Sequence, residues 1–295
     1  MMLNGQGADL SLLIWNSSIS ILVFSFVCYL ATFRQTVLFT LTITLSLLVT
    51  VQFSFQPSFD SISIMGFSKL MLLLPLGLGV ILGFGLFSES IQKRFLPLFT
   101  LYINFAVLAN IFAMMFAPSG DTYRGVFSRI TCFTLLIWLV QEMAKVNFQT
   151  THMDSKMFLF RSSPLHWIYC HAAYRMALLS LPTFASIRFI LLEPFSLIAM
   201  VVLYHWHNKR YPLYYYFGFA DTIAVTTLTV LARYPVLPPF PSKGPYFPNL
   251  QEYQWDMVFL PIQFLVTGFA LWAIFQNLSV KRSIPIENPS KLSAR

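Results

Sequence analysis

The stretch Met257–Asn277, MVFLPIQFLVTGFALWAIFQN, runs for 21 residues without an Asp, Glu, Lys or Arg. At about 1.5 Å per residue, a helix of this length covers about 30 Å, the thickness of a bilayer's hydrocarbon core. The same reading applies to Leu10–Phe33, Thr36–Phe55, Lys69–Phe87, Phe95–Phe116, Ile130–Val146, Trp167–Thr183, Ile187–Tyr204 and Leu213–Ala232. The expected fold class is therefore all-α, a polytopic integral membrane bundle of about nine transmembrane helices. Residues 1–295 form one transmembrane domain in this reading, and 278–295 are a basic cytosolic tail.

Composition agrees. Charged residues make up 10% of the chain and hydrophobic residues 57%, whereas a soluble domain carries about 25% charged residues. The net charge of +8 is spread over short loops beside apolar spans. It points to membrane lipid and not to nucleic acid as the partner. Cys28, Cys132 and Cys170 all fall inside apolar segments at irregular spacing, which argues for buried small residues and against a disulfide framework. Four glycines from Gly77 to Gly85 give the third span a small face that a neighbour can approach closely. Six prolines between Pro235 and Gln254 predict a stiff, extended connector.

Orientation follows from the basic residues. With these spans, twelve Lys and Arg fall on one side, among them Arg34, Lys93, Arg94, Lys145, Lys209 and Arg210. Six fall on the other: Lys69, Arg124, Arg129, Arg188, Arg233 and Lys243. The richer side is cytosolic by the positive-inside rule, so the N-terminus is outside or lumenal and the C-terminus cytosolic.

Charges at depth are expensive in lipid and mark sites or specific partners. Arg175 and Asp221 each lie about 12 Å beyond the expected cytosolic end of their spans, by the helical rise. They are expected to pair in the inner half of the membrane, with Glu142 as the alternative partner. His171 stands four residues before Arg175, on the same helical face. Glu193 lies in a span that is apolar around it, directly before Pro194, which is expected to kink the helix and open space there. Burial favours its neutral, proton-donating form.

The candidate catalytic residues are accordingly Glu193, Asp221 and Glu142, and the candidate substrate-binding residues Arg175, His171, Tyr174 and Phe217. The region from Trp167 to Phe219 is dense in aromatic side chains, whose faces stabilise cations. An isolated acid within aromatic walls can protonate an alkene or epoxide and guide the carbocation that results. The expected function is therefore acid–base chemistry on a lipophilic, isoprenoid or lipid-like small molecule, the chemistry of membrane-bound terpene cyclases. A proton- or anion-coupled small-molecule transporter is the alternative, and a noncatalytic membrane subunit the second.

The histidine pairs His166/His171 and His205/His207 diverge by about 140° and about 200° on a helix, so neither pair chelates one ion and no metal is expected. The chain carries no dinucleotide fingerprint, P-loop or aspartate-rich magnesium motif, so no cofactor is expected either. The pattern leaves the oligomeric state open.

Overall fold

The computed structural model describes residues 89–116, 122–145, 163–181, 192–219 and 252–283, the backbone of 151–154 and 157–160, and scattered helical positions between 18 and 51. In chain order α1 is Glu89–Phe116, α2 Tyr123–Met143, β1 Thr151–Asp154, β2 Met157–Phe160, α3 Leu165–Leu179, α4 Leu192–Trp206, α5 Leu213–Phe219 and α6 Glu252–Ser283.

Three helices are long and apolar enough to cross a membrane, over Lys93–Phe116, Tyr123–Met143 and Tyr253–Ser279. They correspond to the spans expected at 95–116, 130–146 and 257–277. The other expected spans are seen in part or not at all. Helical positions represent 10–33 and 36–55, Pro194–Trp206 is a shorter apolar helix, and 69–87 and 220–232 lie outside the described residues. The glycines from Gly77 to Gly85 and the prolines from Pro235 to Pro248 lie outside them as well.

α2 starts at Tyr123, earlier than the apolar run alone indicates. Thr122 caps it in an extended conformation, its Oγ1 accepting from the Gly125 N–H at 3.1 Å. The helix can carry Arg124 into the protein because a carboxylate meets it there, as described below. Local composition read as a loop; packing makes it the first turn of a span.

α3 is fifteen residues long, about 22 Å by the helical rise and short of the roughly 30 Å of hydrocarbon. It packs against α2, α4, α5 and α6, and eight of its residues are buried, from Trp167 to Leu178. A helix wrapped in this way satisfies its backbone inside protein and does not need to span.

Two directions are fixed by side-chain contacts. α1 and α2 are antiparallel neighbours, with the Cys132 thiol donating to the Ile111 carbonyl at 3.3 Å. α2 and α6 run in the same direction: the Phe127 ring packs at a tilt against Phe264 with centroids 4.5 Å apart, Thr131 meets Thr267, and Gln141 accepts from Asn277. The sequence-based topology likewise has these two spans crossing in the same sense.

The segment expected as a polar loop between α2 and α3 contains an antiparallel hairpin, Thr151 opposite Phe160 and Asp154 opposite Met157. This small β element departs from an all-α fold. Its second strand lies against α5.

Candidate functional site

The N-terminal halves of α2 and α6 hold a buried polar core. On α2, Arg124, Ser128 and Thr131 follow at intervals of four and three and so share one face. On α6, Asp256, Gln263 and Thr267 do the same at seven and four. Arg124 Nε lies 2.8 Å from Asp256 Oδ1, and its guanidinium also donates to Ser180 Oγ at 3.5 Å. Gln263 Nε2 donates to Ser128 Oγ at 2.6 Å and to the Arg124 carbonyl at 3.2 Å. Thr131 and Thr267 share a hydrogen bond of 2.9 Å.

Midway along, the interface turns apolar, with Leu135, Ala270, Ala273 and Ile274 buried. At the C-terminal end it is polar again. The buried Glu142 carboxylate accepts from Trp138 Nε1 at 3.2 Å, from Asn277 Nδ2 at 3.0 Å and from Lys145 Nζ at 2.6 Å on each oxygen. Hydrogen bonds of this kind between membrane helices contribute about 0.6 kcal/mol each and at most about 1.7. The apolar middle interrupts any line of proton-carrying groups along this seam among the described residues.

α3 lies antiparallel to α2. Trp167 Nε1 donates to the Leu135 carbonyl at 2.9 Å, while Ser180 meets Arg124. Leu135 is eight residues inside the C-terminal end of α2, so α3 begins about 12 Å below that end. Arg175 therefore comes level with Ser128, in the N-terminal half of α2. The sequence placed it in the opposite half, because it took Trp167 as the membrane boundary.

His171, Tyr174 and Arg175 share one face of α3 and are all buried. The His171 ring stacks on Trp167 at 4.6 Å and on Tyr174 at 6.2 Å. The Tyr174 hydroxyl faces the Cys132 thiol. Gln263, bonded to Ser128, stands at the same level as Arg175. Its Oε1 is buried without a hydrogen-bond partner among the described residues. Turning the amide over would aim that oxygen at the Arg124 carbonyl, so the orientation is set.

The structure thus brings together three of the residues singled out from sequence, His171, Tyr174 and Arg175. Glu142 sits at the other end of the seam, held by Trp138, Lys145 and Asn277. Phe217 is buried and meets Tyr169 edge-on at 5.8 Å, on the flank of α3 away from His171. Glu193 and Pro194 lie at the edge of the described part of α4, and the residues before Leu192, on which the expected kink depends, lie outside the described residues. The Glu193 side chain, and Asp221 altogether, lie outside the described residues. The expected pairing of Arg175 with Asp221 lies outside them for the same reason.

Sequence reasoning missed Arg124, Ser128, Asp256 and Gln263. The signal available was their spacing, which repeats a polar stripe on two segments otherwise read as loop and apolar span. Among the described residues there is no group of three or more His, Cys, Asp or Glu arranged to hold a metal ion. Comparison of the chain with protein-family models, curated proteins and solved structures finds no match in any of the three.

Proposed function

We propose that the chain is an integral membrane enzyme acting on a lipophilic, isoprenoid or lipid-like substrate by acid–base chemistry of the terpene-cyclase type. One observation supports this reading above the others: a buried imidazole, His171, lies between the rings of Trp167 and Tyr174 with Arg175 one turn away. An acid protonates an alkene or epoxide of the substrate, the cation rearranges, and a base removes a proton to end the reaction. His171 is the base in this proposal. Trp167 and Tyr174 offer π faces to the cation, and Gln263 Oε1 accepts from a donor on the substrate. Glu193 and Asp221 remain the proposed acids. Glu142 serves the helix clamp, since its oxygens are already engaged.

The test compares lipid-soluble extracts of a host membrane with and without the chain. A cyclised or isomerised species that depends on the chain is the expected result, and identical extracts contradict the proposal. The transporter reading draws on a different observation, the buried Arg124–Asp256 pair. Chain-dependent uptake of a polar solute into vesicles, with unchanged extracts, would replace the enzyme reading with that one. The third reading, a noncatalytic subunit, is what remains if neither signal is found.

A further inference from the structure

The turn between α4 and α5 carries a titratable group that the proposed chemistry does not use. α4 ends in a Schellman cap: the Asn208 N–H donates to the His205 carbonyl at 3.0 Å and the Lys209 N–H to the Tyr204 carbonyl at 2.9 Å. Asn208 and Lys209 both adopt left-handed backbone conformations, φ 53° and 54°. One such residue is ordinary after a helix when it is asparagine. A second, at a lysine, costs energy and persists only where neighbouring contacts hold it.

His207 supplies such contacts. Its Nδ1 lies 2.7 Å from the Tyr216 hydroxyl of α5, its ring meets Phe33 edge-on at 4.8 Å, and Tyr211 packs on it at a tilt at 5.8 Å. The imidazole therefore joins three parts of the chain: the end of α4, the start of α5 and the N-terminal segment that carries Phe33. The Tyr216 oxygen also accepts the Tyr211 backbone N–H. A phenol oxygen has two in-plane positions besides its ring bond. With the Tyr211 N–H in one, the phenol's own hydrogen takes the other and points at His207 Nδ1. His207 is then neutral, with Nδ1 as acceptor and the proton on Nε2.

Protonation breaks this arrangement. Nδ1 becomes a donor and meets the phenol hydrogen head-on. Either that hydrogen turns and displaces the Tyr211 N–H, or the His207–Tyr216 bond opens. The new charge is also repelled by Arg210. Among the described residues the ionisable groups facing the ring are Arg210 and Tyr211 from the turn and Tyr216 from α5, and the N-terminal segment presents Phe33. None of these is a carboxylate that would favour the charge.

We propose that His207 is a pH-operated latch, which when neutral holds the α4–α5 turn closed with Phe33 docked on it and when protonated releases both. Burial and then Arg210 hold its proton affinity below the ordinary histidine value. The latch is therefore closed at pH 7.5 and opens as the pH falls below about 6.5.

Hydrogen–deuterium exchange of the purified full-length chain in lipid nanodiscs, corrected for the intrinsic pH dependence of exchange, tests the latch. Between pH 7.5 and pH 5.5, amide protection over 207–216 and around Phe33 should fall about fivefold, while 263–274 in α6 keep theirs. His207→Gln retains a neutral acceptor that does not titrate, and its protection should be the same at both pH values. Tyr216→Phe removes the bond, so the turn should exchange at the faster rate at both. Equal protection of the wild type at the two pH values overturns the latch. A fall of equal size in His207→Gln also overturns it, by moving the titration to another group. A Tyr216→Phe protein that responds to pH as the wild type does removes the bond as its basis, and a fall that extends to 263–274 replaces the latch with global unfolding.

Discussion

Arg124 and Asp256 meet at 2.8 Å between the N-terminal parts of α2 and α6, which sets the level at which two helices separated by more than a hundred residues lie side by side. Everything else on the seam follows that alignment, from Gln263 on Ser128 to Asn277 on Glu142. The pair is nearly dry on the arginine side, with Asp256 retaining 16% side-chain exposure. It therefore holds position more than it adds stability, since desolvation offsets much of the attraction.

Removing one partner should be worse than removing both. Arg124→Met or Asp256→Leu alone leaves an uncompensated charge, and breaking a buried pair costs about 3–5 kcal/mol, less where one partner is partly wet. Each single variant should unfold at a clearly lower temperature in detergent. Arg124→Met/Asp256→Leu should regain most of the difference. A double variant as unstable as the sum of the singles would show that each residue acts through other partners.

The proposed chemistry makes His171 and Glu193 separable from folding. His171→Phe keeps a flat ring between Trp167 and Tyr174 but removes both nitrogens. Glu193→Gln keeps the side-chain shape and removes the transferable proton. General acid–base groups contribute about a hundred- to ten-thousand-fold, and each change should lower product formation on that scale with expression intact. Product formed at the unaltered rate by Glu193→Gln would leave Asp221 as the acid.

His207 should make stability fall at mildly acidic pH. Burial, and then the neighbouring Arg210 charge, push its imidazole below the ordinary histidine value, about 6.5. The unfolded chain then binds the proton more readily than the folded one, so stability is full above that value and declines as the pH drops through it. Among the described residues the groups around the ring are Tyr211, Tyr216, Phe33 and Arg210, and none of these is a carboxylate that would reverse the sign. Between pH 7 and pH 5.5 the unfolding temperature of the wild type should fall more than that of His207→Gln. Parallel curves would remove His207 as the titrating group.

How far the fold could be read from the chain differed from helix to helix. Phe95–Phe116 and Met257–Asn277 were legible because their apolar runs are long enough to need nothing else. Arg124 was counted as a loop cation, because no local feature announces that Asp256 will neutralise it from another helix. α3 was recognised as apolar but not as short. A segment buried on several sides has no polar face to mark its ends, so the level of Arg175 against the N-terminal half of α2 was not legible. His171, Tyr174 and Arg175 were legible as a group, since the helical period alone puts them on one face. Ser128 and Gln263 were not, because their contact depends on the parallel pairing of α2 with α6.

That pairing is the central claim, and a disulfide tests it most directly. Thr131 and Thr267 face each other with hydroxyl oxygens 2.9 Å apart, a spacing at which paired cysteines can form a disulfide. In a chain whose Cys28, Cys132 and Cys170 are replaced by alanine, Thr131→Cys/Thr267→Cys should crosslink rapidly in membranes under mild oxidant. After proteolysis between α2 and α6 the two fragments should stay joined until reduced. Thr131→Cys paired with Asn277→Cys, about 15 Å away along α6 by the helical rise, should not crosslink. Fragments that separate without reductant in the Thr131/Thr267 protein, or that join equally well in the control, would contradict the parallel seam and the site built against it.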